Sequence, residues 1–246
     1  MSEVRVQFLG SGDAFGGGGR LQTCISVEAA SARFVIDCGA TALAAMKRYG
    51  VEPSRIESIL ITHLHGDHFG GLPFFFLEAR FSKRTRPLLL AGPPGLQERT
   101  QQVFSMFFPG SAQNAPAFPI EYLSFEDRVR VAAGPLAVTP LQVVHGSGAP
   151  AFALRVACEG KVIAYSGDTG WTPALIEAAC GADLFICEAY TFDQKIKFHL
   201  DFETLRSHRA QLACRRLVLT HMSEDMLKRL GTLDAEWAED GKTILL

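Results

Sequence analysis

Six consecutive residues constrain this 246-residue chain more than anything else in it: His63-Leu64-His65-Gly66-Asp67-His68. At the frequencies of His and Asp found here, three imidazoles and a carboxylate in that arrangement arise by chance about once per million starting positions. The stretch follows a short apolar run over 59–62 that reads as a buried strand, and it precedes a helical pattern. All four polar side chains therefore share one connecting turn. Imidazole and carboxylate are ligands for a borderline divalent ion such as zinc, manganese or iron. Four donors this close would crowd one ion that must also admit a substrate. Two ions sharing the turn is the more comfortable arrangement, with His63 and His65 serving one and Asp67 and His68 the other.

Two ions need further ligands, and strand ends downstream supply them. His145 stands where the strand 141–144 exits. Asp168, in Tyr165-Ser166-Gly167-Asp168-Thr169, offers a carboxylate able to bridge two cations. His221 lies between a strand over 217–220 and a helix opened by Ser223 as N-cap. Together these complete two ligand sets.

The rest of the chain sorts into strands and helices around those positions. Strands are predicted at 4–9, 23–27, 33–36, 59–62 and 88–90, with helices over 40–49, 73–81 and 92–108. Residues 109–119, rich in Pro, Ala and Gly, are the best site for a mid-chain boundary. Strands follow at 128–131, 136–139, 141–144, 152–156, 162–165, 184–187 and 217–220, with helices over 172–180, 202–214 and 224–230. Asp201 is placed to cap the middle one. Each half runs from several strands into strand–helix units. Packed sheet against sheet with helices outside, the halves make an α/β fold, a four-layer αββα sandwich.

In order, His63-x-His65-x-Asp67-His68, His145, Asp168 and His221 resemble the metallo-β-lactamase superfamily over essentially the whole chain. The resemblance implies one metallo-β-lactamase-like domain over 1–246 and a dinuclear site holding two divalent ions, zinc first, with manganese or iron as alternatives. It gives one metal His63, His65 and His145 and the other Asp67, His68 and His221, with Asp168 bridging. Phe8-Leu9-Gly10-Ser11-Gly12, Ser166-Gly167-Asp168-Thr169, Cys187-Glu188-Ala189 and Leu219-Thr220-His221 further resemble the tRNA 3′-processing endonucleases (RNase Z) and their phosphodiesterase relatives. In that branch a histidine after the Glu-Ala pair acts near the leaving group, held by the Glu. His199 and Glu188 take those places and, with Asp67, form the expected catalytic group. The family's His-Ser-Thr reads His199-Leu200-Asp201 here. The long basic arm of those endonucleases is also missing between His145 and Asp168, where there is room only for two strands and a turn.

The expected activity is hydrolysis of a phosphodiester smaller than tRNA, by attack of a metal-bridging hydroxide with His199 as general acid. The alternatives are a thioester or lactone hydrolase on the same fold, a tRNA 3′-processing endonuclease, or a non-catalytic metal-binding sensor. A missing ligand would favour the sensor, and none is missing. With 24 Lys+Arg against 26 Asp+Glu, a net charge of −2 argues against a nucleic-acid coat or a polybasic membrane binder. No apolar run approaches the roughly 18 residues of a membrane span. The start, Met1-Ser2-Glu3-Val4-Arg5, has no basic and apolar leader pattern, and six cysteines without CxxC spacing read as reduced thiols in the cytoplasm. The expected partner is a small phosphodiester or a short nucleic acid, with a homodimer left open.

Other features read plainly. The run from Gly10 to Gly19 misses the dinucleotide and P-loop spacings and is taken as a substrate-facing turn or simple loop. Arg80, Lys83, Arg84 and Arg86 read as a solvated basic edge, and His208 as a surface residue within a helix. Phe104, Met106, Phe107 and Phe108 cap the core, or make an interface or pocket lid where exposed.

Overall fold

Strands whose neighbours cover both faces carry unbroken apolar runs, and such runs dominate the two sheets of this protein. The computed structural model describes residues 3–112 and 118–246. In the first sheet, β1 (Arg5–Gly10), β2 (Cys24–Glu28) and β3 (Arg33–Ile36) form an antiparallel meander. Next come β4 (Ser58–Leu60), β5 (Leu88–Gly92) and β6 (Ile120–Ser124), each parallel to its neighbour. Helices α1 (Ala42–Arg48), α2 (Gly66–Phe69), α3 (Leu72–Phe81), α4 (Leu96–Phe107) and α5 (Pro109–Ala112) lie in the connections.

The second sheet repeats the scheme. β7 (Val131–Ala133), β8 (Leu136–Val143), β9 (Ala151–Cys158) and β10 (Lys161–Tyr165) are antiparallel. β11 (Leu184–Glu188), β12 (Leu217–Thr220) and β13 (Glu236–Trp237) continue in parallel, with α6 (Ala174–Ala179), α7 (Phe202–Ser207) and α8 (Glu224–Leu227) between them. β14 (Thr243–Leu245) returns to the first sheet beside β1, giving seven strands in each.

Three cores define four layers. Phe8, Phe34 and Leu60 of the first sheet meet Phe152, Tyr165 and Ile186 of the second in the central one. Met46, Phe75 and Leu96 seal the outer face of the first sheet, and Leu175, Leu205 and Met226 that of the second. This is the predicted αββα sandwich. The carboxyl ends of β3, β4, β10, β11 and β12 carry Asp37, His63, Asp168, Glu188 and His221.

Several expectations are corrected. The change from one sheet to the other falls after β6, beyond the 109–119 loop, because β6 still pairs with β5. Residues 109–112 make a short helical turn, and 113–117 lie outside the described residues. The two strands expected at 136–139 and 141–144 are one strand, β8, running through Pro140. The Pro140 carbonyl accepts from the Arg128 N–H at 2.8 Å, so the missing N–H falls on the side where the neighbouring segment has not yet entered β7. The helix expected over 202–214 stops at Ser207, and 209–211 form a separate 3-10 turn. His208 sits at that break and stacks on Trp171, ring centroids 3.8 Å apart, so it is a packed residue of the second half. Asp201 caps α7 as expected, accepting from the Thr204 N–H at 2.9 Å.

The basic edge is corrected too. Arg84 is only 4% exposed and donates to the carbonyls of Ile56 (2.7 Å), Arg86 (2.8 Å) and Pro87 (2.8 Å), with Pro53 at 3.2 Å. It is a buried clamp joining the end of α3 to the entry of β4. The aromatic run is split: Phe107 is half exposed and Met106 exposed, while Phe74 of α3 lies 5.6 Å from Phe108 and 5.8 Å from Phe107, ring to ring. Among the described residues no helix is long and apolar enough to cross a membrane.

Arg84→Met fills much of the space but orphans those carbonyls, a cost of about 3 kcal/mol or more. For a chain of this size the midpoint of thermal unfolding should fall by roughly 6–12 °C. An unchanged midpoint in calorimetry would mean that the clamp is dispensable.

Candidate metal centre

The turn that follows β4 is held by close backbone contact. The Cys38 N–H donates to the His68 carbonyl at 2.6 Å, and the Gly71 N–H to the Cys38 carbonyl at 2.8 Å. A Cβ on Gly39 would stand 2.3 Å from the Asp67 carbonyl oxygen, and one on Gly71 2.2 Å from that of Gly39. Only glycine permits the two segments to touch there. His65 takes the N-cap position of α2 with extended backbone, which leaves His63 and His65 on the strand side and Asp67 and His68 on the helix.

Three of the imidazoles, His68, His145 and His63, are aimed by their second nitrogen. His68 Nδ1 lies 2.6 Å from Asp37 Oδ2, so its Nε2 faces inward, 3.2 Å from Asp67 Oδ2 and 3.3 Å from both Asp168 Oδ1 and His221 Nε2. The Phe198 carbonyl can only accept, so His145 donates to it from Nδ1 at 3.0 Å and presents the lone pair of Nε2, 3.0 Å from His65 Nδ1. His63 Nδ1 meets the Thr62 hydroxyl at 3.0 Å, and its Nε2, buried and without a hydrogen-bond partner, lies 3.8 Å from Asp168 Oδ2. His221, whose backbone φ of 56° is left-handed, brings Nε2 within 3.2 Å of Asp67 Oδ2 and 3.4 Å of Asp168 Oδ2.

The donor atoms gather into two main groups, His63–His65–His145 and Asp67–His68–Asp168–His221. All seven residues expected as ligands are thus brought together. Converging lone pairs and orphaned buried atoms, including Asp168 Oδ1, are the chemistry of a cation cradle. The protonation pattern agrees. Burial alone would lower the His68 imidazole, but Asp168, Asp67 and Asp37 outweigh it and raise it well above the usual range. His221 is raised likewise against its burial, chiefly by Asp168. His63, walled in and facing His68, is pushed well down. Asp168 is held well below the carboxylate range, because His221 and His68 outweigh its burial. The carboxylates here hold positive charge that a divalent ion can replace.

His199 and Glu188 join a third group with Asp168 and His221. His199 Nδ1 lies 2.5 Å from Glu188 Oε1, and Glu188 Oε2 also accepts the Thr169 N–H at 2.9 Å. Burial works against the His199 charge, yet Glu188 raises its pKa. Asp37 was missed in the sequence. Besides His68 it accepts from the Thr62 N–H and hydroxyl, each at 2.8 Å, and it is fully buried with φ of 59°. Its signal was the one used for Asp168, a lone carboxylate at the end of an apolar strand.

A family model described as the Anti-Pycsar protein Apyc1 matches residues 4–242. The chain belongs to that family. Rv1339 of Mycobacterium tuberculosis (strain ATCC 25618 / H37Rv) is 33% identical over 194 residues, covering 76% of this chain and 69% of that protein. A ribonuclease Z of Mycobacterium marinum is 27% identical over 240 residues, covering 89% of this chain and 86% of that one. Among solved structures, the metallo-β-lactamase fold protein YhfI from Bacillus subtilis superposes over 100% of both chains with a TM-score of 0.81 at 17% identity. The fold is therefore that of the metallo-β-lactamases, and the relatives support the RNase Z and phosphodiesterase branch. This Apyc1-family chain is a metal-dependent hydrolase with a His/Asp cluster suited to divalent ions.

Asp37→Asn should keep the fold but unseat His68, weakening divalent-metal retention by roughly 10–100-fold. Metal content after graded chelator dialysis, with circular dichroism as the control for folding, reads this. Retention equal to the parent would show that Asp37 does not orient the site.

Proposed function

We propose that this chain hydrolyses small phosphodiesters with two divalent ions, zinc first, in one unit over 1–246. His63, His65 and His145 would hold one ion, Asp67, His68 and His221 the other, with Asp168 between them. Two ions so held supply an activated water and neutralise charge growing on the phosphoryl oxygens.

The observation that carries the reading is His199 at the rim of the cluster. Its side chain is 22% exposed while Glu188 is fully buried. Glu188 takes Nδ1, so Nε2 faces outward, and Glu188 raises the imidazole's pKa against its burial, which favours the protonated form. A proton in that place suits an alkoxide leaving group, whereas a thiolate departs without one. This favours an oxygen ester over a thioester, and the ribonuclease Z relative favours phosphorus over a lactone carbonyl. Small size is argued from the span between His145 and Asp168, which the hairpin of β9 and β10 fills with no arm.

The test is turnover of the metal-loaded protein on bis-p-nitrophenyl phosphate, pre-tRNA, and thioester and lactone panels. About two ions per chain are expected, with activity on the phosphodiester, little on pre-tRNA, and loss of activity and metal in Asp168→Ala. Efficient single-site cleavage of pre-tRNA, or faster thioester turnover, would overturn the assignment.

His199→Ala should retain both metals yet slow hydrolysis of poor leaving groups by roughly 10²–10⁴-fold, with a much smaller effect on p-nitrophenolate. Glu188→Gln should give a milder version. Equal losses across leaving groups would remove His199 from the acid role, and loss of a metal would make it a ligand.

A further inference from the structure

On the outer face of the first sheet, at the amino ends of β3 and β4 and so at the end away from the metal centre, lies a cavity of about 140 Å³. Side chains alternate across a strand, and Val6, Phe8, Ile25 and Val27 put one set of positions of β1 and β2 into the central core. The other set changes character along the strands. Leu9 and Cys24 join the outer core with α1, whereas Arg5, Gln7, Ser26 and Glu28 are polar and line the cavity. Gln7 stands directly opposite Ser26 across the two strands, and Arg5 opposite Glu28. Tyr49, Glu52 and Arg55, which follow α1, complete the wall.

Gln7 is 8% exposed and Ser26 7%, yet the amide and the hydroxyl make no hydrogen bond among the described residues. Neither group is sealed off by protein atoms, so both open into the cavity. Polar side chains so nearly buried normally have partners. Charge is unanswered as well. Of the three arginines in the wall, Arg33 pairs with Glu28 at 2.8 Å, while Arg5 and Arg55 have no ion pair among the described residues. Glu52 Oε1 accepts from the Ser54 hydroxyl at 2.5 Å. Two guanidinium groups thus stand beside two unclaimed donors.

We propose that this cavity binds a phosphate dianion, as the free ion or as a small monoester, at a site separate from the metal centre. Near neutral pH such a group carries about two negative charges, which Arg5 and Arg55 balance. Guanidinium forks match pairs of phosphate oxygens. The Gln7 amide and the Ser26 hydroxyl donate to the oxygens that remain. An uncharged ligand would leave both guanidinium groups unanswered, a single carboxylate would balance only one, and a cation would be repelled. No residue of the proposed reaction takes part, so the site is independent of the phosphodiester reading.

Calorimetric titration with inorganic phosphate tests this, in the metal-loaded protein and in Asp168→Ala, whose expected loss of metal separates the cavity from the metal centre. Phosphate should bind both, with the cavity's class of sites remaining in Asp168→Ala. Arg5→Gln, Arg55→Gln and Gln7→Leu should each weaken that class by roughly tenfold or more in either background. Arg55→Lys, which keeps the charge but not the fork, should recover part of the loss. Arg5 and Arg55 are exposed and Leu suits the apolar surroundings of Gln7, so without phosphate these variants should keep the parent's midpoint of thermal unfolding. The rise in midpoint that phosphate gives the parent should then be smaller in them. Acetate, with one charge, should not compete. Glycerol 3-phosphate distinguishes the sources: binding tighter than inorganic phosphate assigns the monoester, and weaker binding assigns the free ion. Phosphate binding that all three variants leave unchanged in the metal-loaded protein overturns the site, as does its absence from folded Asp168→Ala.

Discussion

Asp37 carries a fully buried carboxylate into the seam between β3 and β4, where it accepts from the Thr62 backbone and hydroxyl and from His68. An unpaired charge there would be prohibitive, so strand end, turn and imidazole must assemble together. Once they do, His68 has a single orientation, with Nε2 toward Asp67, Asp168 and His221. The remaining ligands close around that nitrogen.

Those ligands come from both halves of the sandwich. The first sheet gives the His63–His68 turn, and the second gives His145, Asp168 and His221. The centre exists only when the sheets are docked across the core of Phe8, Phe34, Phe152 and Tyr165. A divalent ion bound by both halves would then add its binding free energy to the docked state alone.

What was legible in the sequence was local or strand-terminal. The histidine turn announces itself within six residues, and His145, Asp168 and His221 follow from their positions at strand exits. The αββα layering followed from the order of elements. Arg84 was illegible because its meaning lies in carbonyls 28 to 31 residues away, whereas Asp37 stands at a strand end as Asp168 does, and only its pairing with His68, 31 residues on, was hidden. The end of α7 was overrun because nothing within 202–214 announces that His208 will stack on Trp171. β13 and β14 are two and three residues long, too short to carry a period, and exist through pairing with β12 and β1.

Asp240 accepts from the N–H and hydroxyl of Ser11, each at 2.9 Å, and from the Leu21 N–H at 2.7 Å. These are the two shoulders of the glycine-rich turn, and the first lies 229 residues back along the chain. β14 pairs with β1 a few residues later. On a ribosome, that turn therefore has to wait for a residue 219 to 229 positions further on before its shoulders are fixed. The seven expected ligands, the last of them His221, have all been synthesised by then, so the turn is fixed only after every one of them exists.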